Sequence, residues 1–166
     1  MGEYDAVILL CVIFIGAVFA YIFILNESSR SKQEEYQKEV QKRKERAIEV
    51  ADGAGAMTPE EFFGLRKIGN RINDDLNFPG VYVLLNTTKN MYYIGQGTRV
   101  GDRVNSHFTG KGNGDVYADY KYDNEFVIKL IKFEGSGYTT LNELEKAMII
   151  AYGANATGYN KTTGNR

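Results

Sequence analysis

Tryptophan is absent from this sequence, histidine and cysteine occur once each, and proline occurs twice in 166 residues. The lone Cys11 excludes an intramolecular disulfide and fits a soluble portion kept in a reducing compartment. A net charge of −1 and a pI near 5.9 leave no global signature of a nucleic-acid binder, so that reading must rest on local clusters. Abundance lies elsewhere, in 12 tyrosines. The length holds one compact domain of ordinary size, and part of it is unavailable to that domain.

The unavailable part comes first. Ala6 to Leu25 runs AVILLCVIFIGAVFAYIFIL without a charge, long enough to cross the roughly 30 Å hydrocarbon core of a bilayer. Glu3 and Asp5 precede it with no lysine or arginine, so it reads as a retained span rather than a cleaved signal peptide. Cys11 is then a small apolar filler. Arg30, Lys32, Lys38, Lys42, Arg43, Lys44 and Arg46 follow the span. The positive-inside rule predicts a single-pass protein of the cell membrane, N-terminus outside and the rest in the cytoplasm.

Residues 27–56 read as a tether. Glu27 to Ala51 is rich in Lys, Arg, Glu and Gln, with a thin apolar stripe of Tyr36, Val40, Ala47, Ile48 and Ala51, which predicts a solvated helical stalk. A short coiled coil making a homodimer is the alternative, although the stripe breaks at Arg43 and Lys44. DGAGA, Asp52 to Ala56, reads as a flexible break. Thr58-Pro59-Glu60-Glu61 is a helix-start pattern, predicting a lead-in helix over residues 57–77 with Phe62, Leu65, Ile68 and Ile72 on one face, ending before Pro79.

Val81–Leu85 and Met91–Ile94 are β-rich runs around the polar turn Asn86 to Asn90. A four-residue loop, Asn86 to Lys89, sets Leu85 opposite Asn90 and Tyr82 opposite Tyr93. Tyr82, Leu84, Met91 and Tyr93 then share one face, with Val81, Val83, Tyr92 and Ile94 on the other. Gly95-Gln96-Gly97 ends the hairpin. A helix to about Phe108 should follow, on which Arg99, Arg103 and His107 are successive i, i+4 neighbours. Simple packing would explain two strand tyrosines, and solvation a surface Arg–His pair; their closeness in sequence argues for more.

Gly80-Val81-Tyr82, Tyr93-Ile94-Gly95, Arg103 and His107 together resemble the GIY-YIG nuclease domain, with Val81 in place of the usual isoleucine. The resemblance covers about residues 78–166. It implies an α+β fold, a small three-stranded antiparallel sheet flanked by helices.

Gly110–Gly114 is glycine-rich but lacks the Lys-Ser/Thr ending of a phosphate-cradling loop, and reads as a loop where backbone can approach DNA. Asp115–Tyr122 suggests a short helix and Phe126–Phe133 a third strand. Thr140-Leu141-Asn142-Glu143 has a capping-box pattern before a helix whose buried stripe is Leu141, Leu144, Met148 and Ala151. Glu145 falls at the edge of that stripe, where an unpaired carboxylate is costly; it needs a partner, and a divalent metal is one.

The resemblance selects the same Glu145 as metal ligand, for Mg²⁺ or Mn²⁺, and points to Asn160 as a further site residue. It implies DNA phosphodiester hydrolysis, with Arg103 on the phosphate, Tyr82 as candidate general base, Tyr93 orienting water or substrate, and His107 beside them. Arg99 and Lys111 are candidate DNA contacts with Asn160. A free tyrosine, with pKa near 10, is a poor base at pH 7 by roughly 4 kcal/mol. Arg103, a metal or His107 must therefore stabilise its anion, or His107 must relay its proton. A membrane-tethered DNA-binding module without catalysis is the alternative. A purely structural stalk protein accounts for the first third alone. With no separate DNA-specificity domain after the nuclease-like region, structure-selective or weakly sequence-selective cleavage is expected.

Overall fold

The computed structural model describes residues 2–67 and 71–164, and the chain divides into two compact units, residues 1–42 and 43–166. Helix α1 spans Glu3–Asp52. In the first unit its apolar stretch exposes Phe14, Phe19, Tyr21 and Phe23 by more than 60 % each. An 18-residue window of mean hydropathy 1.8 with none of it buried makes this, by length and composition, a candidate membrane anchor. Beyond it the helix is polar, with an exposed Arg30–Glu34 pair at 3.4 Å of the kind that adds little stability.

The second unit opens with the last turns of α1. Ala47 and Ala51 are fully buried and Val50 packs beside them against Val81, Ile131, Leu144 and Met148. Alanine suits this position, because it propagates a helix and its single methyl lets the backbone approach a sheet closely. The Tyr138 hydroxyl donates to the Arg43 carbonyl at 2.9 Å, and Lys129 Nζ donates to the Ala51 carbonyl at 3.1 Å. That ammonium satisfies a carbonyl of the last turn that has no partner within the helix.

The sheet has four antiparallel strands in the order β1-β4-β2-β3: β1 (Ala56–Met57), β2 (Gly80–Asn86), β3 (Met91–Gly97) and β4 (Phe126–Lys132). The expected three strands are present, and β1 is a fourth, formed where DGAGA suggested only a flexible break: Ala56 pairs with Lys129 and Met57 with Ile128. Central β2 is covered on both faces. The end of α1 and helix α5 (Leu141–Ala151) lie on one face; α2 (Pro59–Gly64), α3 (Val100–Phe108) and α4 (Gly114–Lys121) pack Phe62, Val104, Phe108 and Val116 on the other.

Two sequence expectations need correction. The lead-in helix is only α2, capped at Thr58 by the full capping box and ended at Gly64. Leu65 is 48 % exposed rather than on a buried face, and Ile68 lies outside the described residues. Arg66 is drawn toward α3 instead, its guanidinium 3.9 Å from the Phe63 ring centre and bonded to Asn105 Oδ1. Ile72 does reach the core, from a non-helical segment before a 3₁₀ turn at Asp74–Leu76.

The hairpin register is the second correction. The loop has four residues but runs from Thr87 to Asn90, so Asn86 faces Met91, Leu84 faces Tyr93 and Tyr82 faces Gly95. Asn90 takes the left-handed conformation (φ 53°), which asparagine tolerates, and the Asn86 side chain accepts from Lys89 N at 3.0 Å. A two-residue displacement keeps every side chain on its face, so the expected faces stand while the partners change.

Candidate active site

On the α2–α3–α4 face of the hairpin, Tyr82 and Tyr93 are diagonal neighbours with ring centres 6.2 Å apart. Gly95 sits directly across from Tyr82, and a Cβ there would lie 2.3 Å from the Tyr82 hydroxyl. Glycine is therefore required for the phenol to lie flat over β3. Tyr82 is fully buried, whereas Tyr93 is only partly covered.

Helix α3 brings the next two groups. Its stripe of Val100, Val104 and Phe108 packs on the sheet, which turns Arg103 and His107, one helical turn apart, toward the tyrosines. His107 is 2 % exposed, and its Nε2 lies 2.9 Å from the Tyr82 hydroxyl. Its ring centre is 4.6 Å from that of Tyr93. On the far side of the imidazole, the backbone N–H of Asn113 donates to Nδ1 at 2.8 Å. Gly112 permits this approach, since a Cβ there would stand 2.5 Å from Nδ1.

Glu145 reaches β3 from α5. It is 6 % exposed, and Gln96 Nε2 donates to its Oε2 at 3.0 Å and also to Asn142 Oδ1. Sequence reasoning placed this carboxylate at the edge of a buried stripe needing a partner; Gln96 is that partner among the described residues. Neither Gln96 nor Asn142 stood out in the sequence. The signal available for Gln96 was strand alternation, which sets it on the same face as Tyr92 and Ile94.

The electrostatics follow from burial. Desolvation raises the Tyr82 pKa far above the ordinary phenol value, Tyr93 adds to the rise, and Arg103 opposes it. Tyr93 is also raised by burial; the Tyr82 hydroxyl and Arg103 pull it down, while Glu145 pushes it up. Burial, helped by Arg103, lowers His107 to about 4, so its imidazole is neutral at pH 7. Tyr93 is thus under the influence of Tyr82, Arg103 and Glu145 at once.

Three other candidates stand apart from this group. Arg99 precedes α3 in a non-helical conformation and is exposed, its Nε bonded to Asp102 Oδ2 at 2.6 Å, so only Arg103 and His107 form the helical pair. Lys111 is exposed in the loop that wraps His107, where its backbone N–H donates to the Ser106 carbonyl at 2.8 Å. The Asn160 side chain accepts from Ile94 N at 2.8 Å and donates to Ile94 O at 2.7 Å, clasping the outer edge of β3.

Residues 78–160 match the family model described as the GIY-YIG catalytic domain. No curated protein and no solved structure matches the chain. That match takes in the hairpin, both α3 side chains and Glu145, half of all residues, and the α+β sheet agrees with it: the chain belongs to the GIY-YIG family of nuclease domains.

Proposed function

We propose that this protein is a membrane-anchored, divalent-metal-dependent endonuclease that hydrolyses DNA phosphodiester bonds. The observation that carries the reading is the Tyr82–His107 hydrogen bond beside Tyr93 and Arg103, with Glu145, held by Gln96 from the other face of the sheet, acting on Tyr93 electrostatically. In the reaction, a phenol of the tyrosine pair first gives its own proton to solvent; the oxygen of a water then attacks phosphorus as that phenolate takes the water's proton, and the P–O bond to the leaving nucleotide breaks, that oxygen taking a proton from solvent. Arg103 opposes the charge developing on the phosphate, a task suited to a planar, permanently charged fork. Tyr93 is the phenol with an open side and orients or receives the water; Tyr82 and His107 back it.

The donor set fits a hydrated divalent ion. Among the described residues no three carboxylate, histidine or cysteine side chains gather, but Mg²⁺ is commonly held by one or two carboxylates with water and phosphate oxygens completing the shell. Glu145 would hold Mg²⁺ or Mn²⁺, which when bound supplies Lewis-acid stabilisation to the phosphate. Arg99, Lys111 and Asn160 are the proposed DNA contacts, Asn160 through the strand it clasps. The apolar start of α1 is the proposed anchor at residues 6–25, with the nuclease domain on the cytoplasmic side.

The test is Mg²⁺-dependent cleavage of plasmid DNA by the full chain beside Glu145→Ala and Tyr82→Phe. Both substitutions should lower the rate by roughly a hundredfold or more. Equal activity or equal inactivity of all three, across several metals and substrates, would sink the enzymatic reading. DNA binding retained without any cleavage would favour a non-catalytic tether.

A further inference from the structure

A neutral imidazole carries one proton, and its position is fixed by what the other nitrogen accepts. Here Asn113 N–H donates to Nδ1 at 2.8 Å, so Nδ1 is unprotonated and Nε2 bears the hydrogen. Nε2 is the atom 2.9 Å from the Tyr82 hydroxyl. The contact therefore runs from His107 to Tyr82, with the phenol oxygen accepting. A tyrosine hydroxyl has one hydrogen of its own, and with its oxygen facing Nε2–H that hydrogen points away from the imidazole. Tyr93 is the neighbouring phenol whose anion the Tyr82 hydroxyl stabilises.

We infer that the Gly112–Asn113 turn is a positioning device that locks His107 as a hydrogen-bond donor to Tyr82, so that His107 cannot take the tyrosine proton and instead supports negative charge on the phenol pair. The inference rests on the nuclease reading for its catalytic consequence. It resolves the choice between anion stabilisation and proton relay in favour of stabilisation. The groups facing the imidazole are the two phenols and the Arg103 guanidinium; of these, Arg103 is permanently charged and the phenols are neutral at pH 7. The glycine is part of the device, because any side chain at position 112 would meet Nδ1 and displace the turn.

His107 is the only histidine, so selective ¹⁵N-histidine labelling of the full chain in detergent, purified without a histidine tag, reports this one ring. The expected spectrum at pH 7 has a lone-pair-type Nδ1 and a protonated Nε2. Asn113→Pro keeps a compatible φ of −72° but removes the N–H. It should lose the Nε2–H preference and slow DNA cleavage by roughly a hundredfold, the lower end of what a positioned acid–base group contributes. Asn113→Ala keeps the N–H and loses only the α4 cap, so it should retain the wild-type tautomer. A wild-type ring protonated on Nδ1, or an unchanged tautomer in Asn113→Pro, overturns the inference. An Nε2–H ring in a chain that cleaves no DNA overturns the nuclease reading and the catalytic half of this inference with it, while the tautomer assignment stands.

Discussion

His107 is neutral in the fold because charging it would put a cation into a buried position next to Arg103. Its pKa of about 4 lies below the ordinary value near 6.5, so the unfolded chain binds the extra proton first as pH falls. The stability from keeping it neutral is fully present above the unfolded pKa and is lost as pH drops toward the folded one. Between pH 7 and pH 5 the expected loss is about 2 kcal/mol. Urea unfolding of the wild type and His107→Gln at both values checks this; the variant should be nearly flat across the interval, and a flat wild type would contradict it. At this scale the sequence was informative about faces and not about partners. Alternation alone put Tyr82 and Tyr93 on one side of the hairpin. Their offset by two residues depends on Asn90 adopting a left-handed turn and Asn86 bonding Lys89 N. Gln96 was silent because it acts through a carboxylate distant in sequence, and Asn113 because it acts on the nearby imidazole through a backbone N–H that no side-chain type announces.

Among the elements, the end of α1 carries the clearest energetic consequence. A chain beginning at residue 57 lacks Ala47, Val50 and Ala51 and leaves Val81, Ile131 and Met148 open to water on that face. It also loses β1 residue Ala56 and the carbonyls bonded by Tyr138 and Lys129. Relative to a chain beginning at residue 43, it should be destabilised by about 3 kcal/mol or more, on the usual value per buried apolar side chain. Equal denaturation midpoints for the two would count against this packing. The helix itself was plain from composition, but its buried stripe was not, since alanine serves equally well on a solvated face. The same ambiguity lengthened α2: Leu65 had the right spacing, yet Gly64 and the pull of Arg66 toward Phe63 and Asn105 end the helix early.

For the whole molecule, the basic run after the apolar stretch predicts that a tag at the C-terminus resists protease added to intact cells and is digested once the cells are opened. Digestion from outside would reverse the proposed orientation. The α+β class and the hairpin–helix core were legible because each is written locally, in period-two and period-3.6 patterns. Strand β1 and the Asn160 clasp join residues far apart, and no local pattern announces them. That clasp matters most if many copies share one membrane. β3 ends the sheet, and an open strand edge is a template for another strand. Tyr159 N–H donates to the Tyr92 carbonyl and Asn160 takes both polar groups of Ile94, so the middle of the outward ladder is already occupied from within. Copies crowded side by side would thus meet an edge closed at its centre, where a run of free backbone groups could otherwise seed pairing between one domain and the next.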